Sequence, residues 1–460
     1  MKNTRKRSRF IYLILFGSLA GLGYFTYEFF KNAGYWALQP FNKHLSERSS
    51  DGGKIIDKNG YILAQTKNGK RIYADNPDIR KAMLHIVGDG SVLISTSVQS
   101  RYVQELFGYS LITGLGAPEL LSKNKDIKLT LDSEICSTVS KAFNGRKGAA
   151  IAYNYLTGEV ICSVSLPTYD VYNKPDLTKD KNGTYEGVYI NRVLSSSFVP
   201  GSIFKLFTTA AMLNNIKNPE IKLFECKKVK LYDGEKVTCM ASHGKINLQT
   251  GLSKSCDIVF GDIAVELGQD LMKTEIEKFG FNREIKIDGM SLSKSKYNLD
   301  GASKADLAWS GIGQYKDLVN PTHMLMVMGA FANGGKPVKP FFIKEILLRQ
   351  GIPIFLNSPT TYEEMVGIAV SEKIRVMMRN TMKNQYGDSM FPGMKICAKT
   401  GTGEVGEGEA PHGWMVGFSE DKKFPFAFVV VVENSGFGIK TAGPIASVMM
   451  KAIKLKFSSI

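Results

Sequence analysis

The uncharged run Phe10–Tyr27, FIYLILFGSLAGLGYFTY, constrains this chain more than any other feature. Eighteen helical residues at a rise of about 1.5 Å cover roughly 27 Å, close to the hydrocarbon thickness of a bilayer. Lys2, Arg5, Lys6, Arg7 and Arg9 precede the run, and only Glu28 and Lys31 follow soon after. The positive-inside rule then predicts a cytoplasmic tail over 1–9, a single membrane anchor over 10–30, and an extracytoplasmic remainder at the cell membrane. A signal peptide cleaved near Ser18-Leu19-Ala20 is the competing reading, but apolar residues continue through Tyr24, Phe25, Tyr27, Phe29 and Phe30. No Cys follows the run to carry a lipid, and no second run of spanning length exists, which excludes a multispan protein.

The 460 residues exceed one compact core, so at least two domains are expected. With 43% hydrophobic and 22% charged residues, the chain is neither disordered nor low-complexity. The formal charge of +16 suits an anionic partner. No basic stripe interleaved with aromatics follows the N-terminal cluster, so no nucleic-acid partner is expected.

Residues 31–125 are mixed and Gly-rich, with a hairpin predicted at Lys58-Asn59-Gly60, and read as a small non-catalytic domain next to the membrane. From 126 the apolar density rises. IKLTLD reads as a strand, SEICSTVSKAF as a helix, and GAAIAYNYLTGEVICSVSLP as two strands around Leu156-Thr157-Gly158. KICAKTGTG, HGWMVGFS and FPFAFVVVVEN read as three more strands, and GPIASVMMKAIKLKF as a closing helix. Strands at both ends with helices between them predict an α+β domain over 126–460, an antiparallel sheet flanked by helices. Cys136, Cys162 and Cys397 sit in apolar runs and read as buried free thiols.

Pro200-Gly201-Ser202-Ile203-Phe204-Lys205 opens a buried helix, with Ser202 in its first turn, where free N–H groups can stabilise an oxyanion. Lys205 lies three residues on, hence on the same face. Desolvation favours its neutral amine, which could take the Ser202 proton; alone, the pair is equally an ordinary helix start with a snorkelling Lys. Ser255-Cys256-Asp257 lies between two helical patterns and offers a hydroxyl relay. Lys399-Thr400-Gly401-Thr402-Gly403 follows a strand and offers a cation and two hydroxyls to a carboxylate, with Gly401 permitting close approach. Ser-x-x-Lys, Ser-x-Asx and Lys-Thr-Gly in this order are the signature of penicillin-binding proteins and class A β-lactamases.

With these motifs the chain resembles the class B penicillin-binding proteins, monofunctional transpeptidases of bacterial cell-wall synthesis. The resemblance extends through Gly53–Ala64, Thr130-Leu131-Asp132, Thr157-Gly158-Glu159, Ser165-Leu166-Pro167, Gly311-Ile312-Gly313-Gln314, Ala332–Gly335 and His412–Gly417. It implies that Ser202 attacks the penultimate D-Ala carbonyl of an acyl-D-Ala-D-Ala stem peptide, with Lys205 as general base and Ser255 relaying protons to the leaving amine. Lys399, Thr400 and Thr402 would hold the terminal carboxylate, and the N–H groups of Ser202 and Thr402 the oxyanion. An amine of a neighbouring peptidoglycan stem would then take the acyl group. β-Lactam antibiotics would mimic the donor and leave Ser202 acylated, and other cell-wall synthesis proteins are expected partners. A D,D-carboxypeptidase, a serine β-lactamase, or a membrane-anchored β-lactam-binding sensor or scaffold are the alternatives at the same site.

The sequence departs from the family pattern at Asp257, where Asn is usual. An ionised Asp cannot donate a hydrogen bond, and its charge favours the ammonium form of Lys205 and weakens it as a base. Cys226, Cys239 and His243 lie just upstream, and two thiolates with an imidazole suit tetrahedral Zn²⁺. Asp257 as fourth ligand would have its charge offset by the metal. The alternatives are a Cys226–Cys239 disulfide, or Cys256 as the fourth ligand in place of Asp257.

Overall fold

A computed structural model describes residues 2–37, 52–91, 93–106 with Phe107, 124–406 and 408–457. The parts of the expected membrane-proximal domain at 38–51 and 108–123 lie outside the described residues.

The N-terminal segment forms one helix, Lys2–Ala37, and its apolar side chains from Ile11 to Tyr27, Leu13 and Phe16 among them, are exposed. Among the described residues no helix is long and apolar enough to cross a membrane. The Phe10 side chain, which opens the expected span, is outside the described set.

Two sheets organise the rest. The first has six strands in the order Pro353–Leu356, Ile343–Leu348, Lys125–Leu129, Ile55–Ile56, Ile62–Lys67, Lys70–Tyr73. The Lys58-Asn59-Gly60 turn joins Ile55–Ile56 to Ile62–Lys67 antiparallel, with Gly60 at φ +88°. Ile55–Ile56 runs parallel to Lys125–Leu129, which in turn pairs with Ile343–Leu348. The sequence boundary at 125/126 therefore falls inside a central strand, and the segments before and after it share one hydrogen-bonded sheet.

The second sheet is antiparallel throughout: Ile396–Gly403, His412–Ser419, Phe426–Val432, Gly148–Asn154, Val160–Leu166. Its middle strand, FAFVVVV, is buried at every position, so both faces must be covered. Helix Gly438–Phe457, with Ser133–Ala142 beside it, covers one face, and Pro321–Ala332 covers the other. Pro321–Ala332 is apolar all round and buried at almost every residue; Asn320 caps it by accepting from the Thr322 and His323 N–H groups. This helix–sheet–helix arrangement is the α+β architecture the apolar pattern predicts. Ile396–Gly403 is an edge strand, paired on one side only, and its free edge is where the motif residues gather.

Candidate active site

The Ser202 turn is built by backbone conformation. Gly201 holds φ +53° and a Cβ there would lie 2.1 Å from the Thr402 carbonyl oxygen, so only glycine lets the turn meet the edge strand. Gly403 approaches the Val199 carbonyl equally closely, at 2.2 Å from a built Cβ. The turn Gly201–Ile203 is 3₁₀, and the α-helix begins only at Lys205 and runs to Asn215. Ser202 thus precedes the helix rather than lying in its first α-turn, yet the three-residue spacing still stacks Lys205 against it.

Lys205 is fully buried and its Nζ makes four contacts: Ser202 Oγ at 3.0 Å, Ser255 O at 2.7 Å, Ser255 Oγ at 3.2 Å and Asp257 Oδ1 at 2.8 Å. Ser255 reaches it from the kink between helices Leu248–Ser253 and Asp257–Leu267, at φ +55°, a strained value for a residue with a Cβ. That kink turns both the carbonyl and the hydroxyl of Ser255 toward the amine. Lys399 Nζ donates to Ser255 Oγ at 2.9 Å and to its neighbour Thr400 O at 2.8 Å. The Ser255 hydroxyl is therefore shared by both lysines. Lys399 is fully buried as well, and burial first, then repulsion by Lys205, push it well below the usual lysine range, while Asp257 works against the shift.

Four of the predicted site residues, Ser202, Lys205, Ser255 and Lys399, thus form one connected hydrogen-bond chain, with Asp257 attached through Lys205. Thr400, Gly401 and Thr402 continue along the same strand, with Gly401 packed where a Cβ would come within 2.6 Å of the Pro200 oxygen. Two residues with no assigned role also reach the strand. The Tyr386 hydroxyl accepts the Thr400 N–H at 3.0 Å and bonds Thr400 Oγ1 at 2.9 Å. The Gln314 carboxamide donates to Thr402 O and accepts from Glu404 N–H, both at 3.2 Å. Gln314 stood in a family-like stretch of sequence, whereas nothing in the sequence marks Tyr386, which arrives through a π-turn at Met382–Tyr386.

The Cys/His cluster is a second centre, and here the structure corrects the expected donor set. The atoms that converge are Cys226 Sγ, Cys239 Sγ, a His243 ring nitrogen and Cys256 Sγ, all within 4.8 Å of one another. Asp257 is not among them. As first residue of helix Asp257–Leu267 it faces Lys205, whereas Cys256, the N-cap one residue earlier, projects to the other side. The disulfide alternative is also absent: Cys226 and Cys239 are free thiols, as are Cys136, Cys162 and Cys397. His243 Nδ1 lies 3.6 Å from each of Cys226 and Cys239 Sγ, and Cys239 Sγ lies 3.9 Å from Cys256 Sγ. A tetrahedral Zn²⁺ with bonds of about 2.3 Å to sulfur and 2.0 Å to nitrogen requires edges of roughly 3.8 and 3.5 Å, so the donors fit the ion. Strand Leu223–Cys226 delivers the first thiol, and the His243 N–H donates to the Cys226 carbonyl at 3.1 Å, which ties both arms of the loop together. The Cys239 and Cys256 thiols share a hydrogen bond, which pulls the Cys239 thiol down and pushes the Cys256 thiol up.

A serine hydrogen-bonded to a buried lysine, with a second lysine beside a free strand edge, is an arrangement suited to serine acyl transfer, here on an α+β frame. Residues 148–451 match the penicillin binding protein transpeptidase domain, and the chain belongs to that family. It is 24% identical to the peptidoglycan D,D-transpeptidase PbpA of Mycolicibacterium smegmatis over 65% of this chain and 64% of the relative. It is 25% identical to penicillin-binding protein 3 of Bacillus subtilis over 81% of this chain and 57% of the relative. The chain thus spans less than two thirds of the length of these relatives. Among solved structures, it superposes on the D,D-transpeptidase domain of a peptidoglycan glycosyltransferase from Eggerthella lenta with a TM-score of 0.77 at 24% identity, covering 89% of this chain and 99% of that one. The penicillin G acyl-enzyme complex of penicillin-binding protein A from M. tuberculosis gives 0.74 at 22% identity, covering 90% and 100%.

Proposed function

We propose that this protein is a peptidoglycan D,D-transpeptidase that works through a Ser202 acyl-enzyme and is acylated by β-lactams. The observation that carries the reading is the unbroken chain Ser202 Oγ–Lys205 Nζ–Ser255 Oγ–Lys399 Nζ. In this reading Lys205, as a free amine, takes the Ser202 proton while Oγ adds to the penultimate D-Ala carbonyl. The oxyanion lies on the N–H groups of Ser202 and Thr402. Ser255 passes a proton to the departing D-Ala amine, and Lys399 with the Thr400 and Thr402 hydroxyls holds its carboxylate. The acceptor amine then attacks the ester, returning Oγ and its proton.

Asp257 takes a place in this scheme that differs from the expected one. Its carboxylate is met by Lys205 itself, Oδ1 lying 2.8 Å from Nζ. Burial keeps Lys399 toward the neutral amine, and Ser255 offers a path from one lysine to the other. A carboxylate arriving at Lys399 favours the proton on that side and frees Lys205 to act as base. Recognition of the donor's terminus and activation of the nucleophile are then one event.

The N-terminal helix is the membrane anchor of this reading, supported by uncharged, exposed residues from Ile11 to Tyr27 behind a basic cluster, with the catalytic part at the outer membrane face. Cys226, Cys239, His243 and Cys256 would hold Zn²⁺, which when bound supplies a structural crosslink between the 226–243 loop and the segment bearing Ser255. Other cell-wall synthesis proteins are its partners. The test is a turnover assay with an acyl-D-Ala-D-Ala donor and an added amine acceptor. Cross-linked product in excess of hydrolysis supports transpeptidation; hydrolysis alone would make the enzyme a carboxypeptidase.

A further inference from the structure

The free edge of Ile396–Gly403 is closed at nearly every position. Residues on an edge strand alternate between pointing both backbone groups at the partner strand and pointing both away. The Thr400 N–H bonds Tyr386 and the Thr402 carbonyl bonds Gln314, so Thr400 and Thr402 both face away from His412–Ser419. Tyr386 fills Thr400 N–H and Lys399 fills Thr400 O. Gln314 fills Thr402 O and Glu404 N–H, the two groups flanking Gly403. Beside these filled groups, Thr402 N–H has no partner among the described residues.

An extended donor peptide adds to such an edge as a further strand. In antiparallel pairing one residue exchanges two bonds with the residue opposite, C=O with N–H and N–H with C=O. A donor residue whose reacting carbonyl sits on Thr402 N–H must therefore offer its own amide N–H to Thr402 O. That acceptor is where Gln314 Nε2 donates. Gln314 is fixed next to the nucleophile, because Gly313, at φ +80°, packs where a Cβ would lie 2.2 Å from the Gly201 oxygen, and the Gly201 N–H donates to Gly313 O at 2.8 Å. Its two bonds to the strand lie at the long end of the hydrogen-bond range, so an incoming amide can replace them.

We propose that Gln314 is a specificity-determining residue: its carboxamide occupies the backbone acceptor at Thr402 that the donor's acylamido N–H must take. Donors that carry this amide displace Gln314 and lose part of their binding to the exchange. Donors without it leave Gln314 in place. The inference rests on the acyl-enzyme reading above and names a selectivity filter within that site.

The test compares second-order acylation rates of benzylpenicillin, which has an acylamido group, and sulbactam, a penicillanic acid sulfone that lacks one, by intact mass. Gln314→Ala should raise the benzylpenicillin-to-sulbactam ratio about 3- to 10-fold, the worth of one net hydrogen bond, with the sulbactam rate unchanged. Gln314→Met, which keeps the side-chain length without the amide, should do the same and covers a destabilised Ala variant. A ratio that is unchanged, or two rates that fall together, would make Gln314 a brace for the strand and overturn the proposal. Absence of acylation by either compound in the unaltered protein would instead remove the acyl-enzyme reading on which it stands.

Discussion

The acyl-transfer centre and the Cys/His cluster meet across three consecutive residues, yet they are organised in opposite ways. The first gathers Ser202, Ser255 and Lys399 from segments spread over about half the chain, each held by backbone constraint: a Gly201 turn, a left-handed Ser255, an edge strand. The second draws all its donors from the short stretch Cys226–Cys256, held by a small hairpin-rich lobe and a helix N-cap. Ser255 and Asp257 serve the first centre, and Cys256 between them serves the second. The need to offset its charge assigned Asp257 to the metal in the sequence, whereas the direction of its side chain assigns it to Lys205.

The largest effect expected from breaking this division is at the nucleophile's partner. Lys205→Ala should lower the acylation rate by about 10²- to 10⁴-fold, the usual worth of a positioned base, while zinc content stays unchanged. Stopped-flow or quenched mass measurement checks the rate and elemental analysis the metal. A loss of both together would mean that the two centres are one.

Next come the cluster residues. Cys256→Ser should remove roughly one zinc per chain and lower the thermal midpoint by about 5–10 °C, since metal binding at such a site is partly folding energy. Asp257→Asn should leave zinc content as it was. If Asp257→Asn releases the metal and Cys256→Ser does not, the donor assignment is reversed. Both variants should be compared without a metal-affinity tag.

Asp257→Asn also sharpens the electrostatic side. Asp257 is the group that holds Lys399 up against burial and against Lys205. Its removal should carry Lys399 further down and move the corresponding limb of the acylation pH profile to lower pH. A limb that stays in place would show that Asp257 does not act on the lysine pair.

How much of this was legible in the sequence follows from the range of the interactions. Ser202 with Lys205 is local, so helical spacing sufficed, and the unbroken apolar runs of Gly148–Asn154 and Phe426–Val432 report burial directly. The chemistry of the cluster was legible from composition, but its fourth donor was not, because Cys256 and Asp257 differ only in which side of a helix start they leave. The sharing of one sheet by Ile55–Tyr73 and Ile343–Leu356 depends on Lys125–Leu129 lying between them and pairing with Ile343–Leu348 across about 220 residues, which no local pattern encodes. Tyr386 was silent for the same reason, and the family-like stretch around Gln314 did not show its contact: each acts on the backbone of a distant strand.

The smallest effect expected is on stability. Lys399 has a folded value below its unfolded one, so the unfolded chain binds more protons between the two and stability rises with pH across that window. The contribution is fully present above the unfolded lysine value and is lost as pH falls through the folded one. Lys399→Met, apolar and of similar length, should flatten that rise in chemical denaturation series. An unaltered slope would place the amine in a solvated setting, at odds with its burial.

The central claim, a Ser202 acyl-enzyme, is tested most directly by intact mass after incubation with benzylpenicillin, followed through time and by peptide mapping. The account predicts a stable adduct of one penicillin per chain on Ser202, absent in Ser202→Ala. An adduct that survives in Ser202→Ala would contradict it, and so would a wild-type chain that is never acylated.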